Sequence, residues 1–203
     1  MYNQIEYNIE DSISYQEYRT LVADLLAEGK STGKNQSEDL LNYSKLNNSR
    51  MKRLDKTFQI TEKSEENIQN FSKNQIWIVL TESWCGDAAH ALPVINKITE
   101  SSKNVSLRVL LRDENEALMN RFLTNGNKSI PKLIILDADT KELVDTWGPR
   151  PSEATKIVQM HIEKYGLLDA DFKKELQVWY NANKGLNIEE DILDLLCVTA
   201  DCV

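Results

Sequence analysis

Ile76-Trp77-Ile78-Val79-Leu80 is a short apolar run rich in β-branched residues; Thr81-Glu82-Ser83-Trp84-Cys85-Gly86-Asp87 follows it, and Ala88-Ala89-His90-Ala91-Leu92 continues in residues that favour helix. An apolar run of this length with no polar alternation reads as a buried strand. A tight turn then opens a helix with Cys85 at its N-terminus. Unpaired backbone N–H groups and the positive end of the helix dipole at that place favour a thiolate over a thiol. Cys85 is therefore the candidate nucleophile. Asp87 acts in the opposite sense, because a negative charge near the sulfur pushes the thiol pKa upward.

Upstream, three helices are expected. Ser14 with Glu17 forms a capping-box pattern opening a helix to Glu28, with Ile13 and Tyr18 as its staple and Gly29 as its stop. Ser37 opens a second, carrying Leu40, Leu41, Leu46, Met51, Leu54 and Phe58, and a third runs from Ser64 to Phe71. Arg50, Lys52, Arg53 and Lys56 of the second helix read as a solvated face; an anion site for an acidic thiol substrate is the sharper alternative. Downstream, the motif helix is expected to run from Asp87 to about Ser102, followed by a strand over Val105–Leu111. A helix capped by Asp113 and Glu116 comes next, then a strand over Ser129–Leu136 that opens with Pro131. Asp137-Ala138-Asp139-Thr140 turns into a hairpin partner over Glu142–Trp147, and a helix spans Ser152 to Tyr165. Two more helices are expected at the end, one started by Asp169 or Asp171 and one by Asn187 with Glu190.

The order β-α-β-α-β-β-α over residues 75–165 describes parallel strands closed by an antiparallel hairpin, a mixed sheet with helices on both faces. Trp84-Cys85-Gly86-Asp87 resembles the Trp-Cys-Gly-Pro-Cys signature of thioredoxins, and Ile130-Pro131 falls where that fold carries a cis-proline loop facing the active-site helix. The chain is accordingly expected to be α/β, with a thioredoxin-like mixed sheet and helical N-terminal and C-terminal extensions. The expected division is a helical N-terminal extension over 1–74, a thioredoxin-like core over 75–165, and a helical C-terminal extension over 166–203 packed on the core. The whole arrangement looks like a bacterial family of uncharacterised thioredoxin-like proteins with a single-cysteine motif.

The resemblance implies that Cys85 attacks a disulfide, with Trp84, Gly86, Asp87, Ile130 and Pro131 around the substrate. Ile130 would offer its backbone to an extended peptide or a thiol adduct. Two positions depart from the thioredoxin pattern. Ala88 stands where the resolving cysteine belongs, and Val79 stands where a buried carboxylate would activate that thiol. A monothiol route remains: attack on a mixed disulfide, then release by a second small thiol or a distant cysteine. Cys197 and Cys202 are the candidates for remote resolution; alternatively Cys197 packs as a small hydrophobe and Cys202 is a terminal thiol. An iron–sulfur glutaredoxin reading lacks its Cys-Gly-Phe-Ser motif. The alternative from another class is a redox-inactive interaction module that holds a peptide or protein in the groove under Pro131.

Composition narrows the partners. The chain has 203 residues, a net charge of −8 and a pI near 4.9, with its Lys and Arg dispersed, which gives no footing to nucleic-acid binding. No window approaches a membrane span, and no basic-then-apolar leader opens the sequence. Three sparse cysteines suit a reducing compartment, so the cytoplasm is the expected location. Two histidines and scattered cysteines offer no tetrahedral metal spacing, and no cofactor is implied. His90 is expected to meet Asp87 on one helix face as a surface pair, and His161 to be structural. The expected partner is a mixed-disulfide protein or a low-molecular-weight thiol; the oligomeric state is left open.

Overall fold

The computed structural model describes Ile5 and residues 8–199, with side chains as far as Leu196. Ile76–Leu80 lies within strand β1 (Gln75–Thr81), in which Trp77, Ile78, Val79 and Leu80 are all fully buried. The one polar atom of Trp77 is satisfied in place, its Nε1–H donating to Gln75 Oε1 at 2.9 Å. A central strand of this kind needs neighbours on both sides. It pairs in parallel with β2 (Val105–Leu111), Gln75 opposite Val105, and antiparallel with β3 (Lys132–Asp137), Leu80 opposite Lys132. β4 (Leu143–Trp147) completes the sheet beside β3, giving the order β2-β1-β3-β4. The fold is α/β: a thioredoxin-like mixed sheet with helices on both faces and helices added before and after it.

Before the sheet come α1 (Tyr15–Ala27), α2 (Glu38–Thr57) and α3 (Glu62–Asn70). Their starts follow the capping logic of the sequence. Ser14 and Glu17 form the reciprocal capping box, and Ser37 Oγ accepts the Leu40 N–H at 3.2 Å. α3 begins earlier than expected because Thr61, not Ser64, is its cap. Ile13, expected only to staple α1, also makes an isolated antiparallel bridge with Val109 of β2.

The motif helix α4 (Ala88–Glu100) crosses from β1 to β2 and packs against α2 and against α8 (Leu186–Thr199). Between β2 and β3 the helix is shorter than expected. α5 covers only Glu116–Met119, and Asp113 does not cap it, since its carboxylate is drawn to Arg112 Nη2 at 2.7 Å. α6 (Ser152–Tyr165) follows Pro151, which offers no side-chain cap. The missing acceptors come from α8: Asp191 takes the Ser152 N–H at 2.7 Å and Asn187 Oδ1 takes the Glu153 N–H at 2.9 Å. Asn187 therefore lies inside α8 as a cap for another helix, rather than opening its own. α7 (Ala170–Asn183) is capped by Asp169.

Candidate functional site

Cys85 ends the turn after β1. Its N–H bonds back to the Glu82 carbonyl at 3.1 Å, and its own carbonyl accepts the Ala89 N–H at 3.2 Å. The side chain is only 8 % exposed. Its thiol donates to the carbonyl of Ile130 at 3.2 Å, and the Ala88 N–H points at the sulfur from 3.4 Å. The Ile130–Pro131 bond is cis, as the resemblance implied, and the contact of the thiol with Ile130 brings the proline loop against the cysteine. Burial pushes the Cys85 pKa up to about 12, with the charge of Asp87 adding to it and the Ala88 and Asp87 amides and Arg150 opposing. The sequence sets the helix-start amides against Asp87 without deciding between them, and burial of the sulfur is the larger cause that decides. The amides are there, but desolvation of the sulfur outweighs them, and at rest Cys85 is a thiol.

Asp87 is turned away from its own helix and makes no cap bond. It pairs with Arg150 Nε at 2.9 Å and accepts from Tyr180 Oη at 3.0 Å. Partial burial raises its pKa, while Arg150 and the Tyr180 hydroxyl pull it down. The expected surface pair with His90 is not formed. His90 is buried, stacked on the Tyr180 ring with centroids 4.4 Å apart, and bonded through Nε2 to Gln177 Oε1 at 3.0 Å. Burial pushes its pKa down to about 4, so the imidazole is neutral. His161 is structural in the expected sense, its ring stacked on Phe172 at 3.8 Å.

The turn itself is held by a buried polar network that ties it to the N-terminal helices. Ser83 Oγ accepts the Thr32 N–H at 3.1 Å and meets Ser44 Oγ at 2.7 Å, while Asn47 Nδ2 donates to the Ser83 carbonyl at 2.9 Å. Glu82 is fully buried and accepts the Asp113 N–H at 2.9 Å; burial raises its pKa. Trp84 is half-buried with the Arg112 guanidinium 4.8 Å above its ring, a cation–π contact beside the thiol. Gly148 meets the proline loop from the other side, where a Cβ would lie 2.2 Å from the Pro131 carbonyl oxygen. Its φ of +105° also lies in the region that glycine alone adopts readily.

Residues 33–166 match the family model described as Thioredoxin. The chain belongs to the thioredoxin family. A crystal structure of a Pseudomonas aeruginosa protein of unknown function is similar to this thioredoxin-family chain with a TM-score of 0.60 at 16 % identity, covering 93 % of this chain and 99 % of that one. An HIV epitope-scaffold reaches a TM-score of 0.57 at 16 % identity, covering 93 % and 100 %. At such identity the likeness concerns the fold. No curated protein matches the chain.

In this thioredoxin-family chain Trp84, Cys85, Gly86, Asp87, Ile130 and Pro131 all come together at the end of β1 and the start of α4. Cys202 and the side chain of Cys197 lie outside the described residues. Among the described residues no group of three His, Cys, Asp or Glu side chains could hold a metal, and no helix is long and apolar enough to cross a membrane. Sequence reasoning missed Thr32, Ser44, Asn47, Arg150, Gln177 and Tyr180. No local spacing marks them, because each reaches the motif across more than thirty positions of chain.

Proposed function

We propose that this protein carries out thiol–disulfide exchange by a monothiol route, with Cys85 as the nucleophile and the Ile130–Pro131 loop as the docking edge. The contact of Cys85 Sγ with the Ile130 carbonyl carries the reading, because it sets a thiol against the backbone that an extended substrate would pair with. A docked segment that competes for that carbonyl releases the S–H. The proton leaves, Sγ attacks one sulfur of a mixed disulfide, the old S–S bond breaks, and the departing thiolate takes up a proton. A second low-molecular-weight thiol then attacks the adduct, regenerating the Cys85 thiol while it becomes the disulfide partner of the bound group. Ala88 in place of a second cysteine supports this external release over a local one. The reading carries with it a single-cysteine branch of the family marked by Trp84-Cys85-Gly86-Asp87, a core over 75–165 with helical extensions, and the cytoplasm as the compartment that supplies the releasing thiol.

A second reading is favoured by the depth of the sulfur and its pKa of about 12: a redox-inactive module that binds a peptide at the same edge. Incubation with a cysteine peptide joined to a nitrobenzoate thiol separates the two. In a Cys197→Ser/Cys202→Ser background, exchange predicts one equivalent of coloured thiol released and a Cys85 adduct by mass, both absent when Cys85→Ser is added. Peptide binding without adduct would reject the exchange reading and leave the module.

A further inference from the structure

Three partly buried arginines of this chain have a carboxylate: Arg19 meets Asp55 at 3.4 Å, Arg112 meets Asp113 at 2.7 Å, and Arg150 meets Asp87 at 2.9 Å. Arg50 and Arg108 depart from that pattern, and of the two Arg50 is the one beside the cysteine motif. It is half-buried on α2, and among the described residues no carboxylate pairs with it; its Nη1 donates to the neutral Asn47 Oδ1 at 2.8 Å. Cations withdrawn from water are ordinarily paired, and a guanidinium has five N–H donors to place.

The donors around it converge on Gly86, the residue after the thiol. A Cβ at Gly86 would lie 3.8 Å from Arg50 Nη1 and 3.3 Å from Gln177 Nε2. The other end of the Gln177 amide is engaged by neutral His90, so its NH₂ group faces the same place as the guanidinium. Arg53, one turn further along α2, adds a second positive charge and is held by Asn181 of α7 at 2.6 Å. Donors from two helices thus meet over Gly86, with the charge of Arg53 one turn away on α2.

We propose that Arg50, Arg53 and Gln177 form a carboxylate subsite beside Cys85, and that the thiol compound exchanged there carries a carboxylate close to its sulfur. The fork of Arg50 suits the two oxygens of a carboxylate, and the Gln177 amide and the Arg50 guanidinium, which close over Gly86, would swing aside to receive it. The choice of a thiol compound as ligand rests on the exchange reading above. The carboxylate belongs either to a small thiol or to an acidic protein segment next to its cysteine.

The test uses the full chain with Cys85→Ser, so that no exchange is needed for binding to be seen. It is titrated with S-methylglutathione, a thioether bearing two carboxylates, with the dimethyl ester of that compound, and with an acidic peptide containing S-methylcysteine. The Gly86 amide and the Gln177 side-chain amide are followed by NMR. Saturable shifts with the free acid are expected, weakened about 10-fold or more by esterification and by Arg50→Gln. Gln177→Glu, which supplies a carboxylate from within, should abolish the shifts in a chain whose Arg50 gains a partner. The tighter of the two acidic ligands identifies the source of the carboxylate. Equal shifts with acid and ester, or binding unchanged in Arg50→Gln, would overturn the subsite. Failure of wild-type Cys85 to form adducts would instead remove the exchange reading and leave this titration as it stands.

Discussion

A thiol with a pKa of about 12 is ionised at pH 7 in about one molecule in 10⁵, against about 3 % for an ordinary cysteine of pKa ~8.5. Folding therefore lowers the thiolate population of Cys85 about 3,000-fold. The more basic thiolate is also the better nucleophile, and a Brønsted slope of ~0.4–0.5 over about 3.5 units restores a factor of about 40. The net expectation is that iodoacetamide modifies Cys85 about 100-fold more slowly in the folded chain than in urea, before any shielding of a sulfur that is 8 % exposed. The assay is mass spectrometry of timed quenches in a Cys197→Ser/Cys202→Ser background, from pH 6 to pH 11 (~1-unit steps). The folded-state rate should climb about tenfold per pH unit with no plateau across that range. The same raised pKa makes the folded state the better proton binder above about pH 9. Its contribution to stability is fully present below the unfolded value and falls by up to about 1.4 kcal/mol per pH unit as the pH rises toward 12. Folded-state alkylation at pH 7 as fast as in urea, or a plateau with a midpoint below about 8.5, would refute the account of burial and Asp87 acting on this sulfur.

Asp87→Asn should lower the Cys85 alkylation midpoint, since it removes the second cause of the raised pKa and leaves Arg150 uncompensated nearby, yet keep it above 8.5 because burial is the larger cause. A midpoint that stays put would mean Asp87 has no hold on the thiol. In urea unfolding, Gly148→Ala should cost about 2–4 kcal/mol through collision with the Pro131 carbonyl at a positive φ, while Gly166→Ala, also at positive φ but in open space, should cost about 1 kcal/mol; equal costs would show that the loop yields. His90, with its pKa pushed down to about 4 by burial, withholds a proton that the unfolded chain binds below about 6.5. Stability should therefore fall by up to about 3 kcal/mol as the pH drops from about 6.5 to 4, and His90→Gln should flatten that slope; an unchanged slope would assign it to other groups.

Local signals were legible wherever the governing interaction is local. The Ser14–Glu17 capping box, the β1–turn–α4 unit and the span of α6 follow from residues within four positions of one another, and the β3–β4 hairpin from its short turn, whereas the placement of β3 beside β1 rather than β2 follows from the family resemblance. The reactivity of Cys85 was not legible, because the helix start is local while desolvation comes from Ile130 and from helices distant in the chain. For the same reason His90 read as a surface partner of Asp87. The three-residue spacing is right for contact, but Tyr180, Gln177 and Arg150 outbid it from α7 and the loop after β4. Asp113 failed as a cap on a similar ground, since Arg112 competes for its carboxylate.

The start of α6 has a consequence for how the chain is made. Its first amides are satisfied by Asp191 and Asn187, and Asp191 also receives the Trp147 indole N–H at 3.0 Å, so one carboxylate fastens both the edge of the sheet and the helix that follows it. A nascent chain that has emerged only as far as Tyr165 holds all four strands of the described residues but not the acceptors that close this corner. That corner closes only once α8 has emerged, and a fragment cut after Tyr165 would leave those donors exposed to whatever acceptor a neighbouring molecule presents.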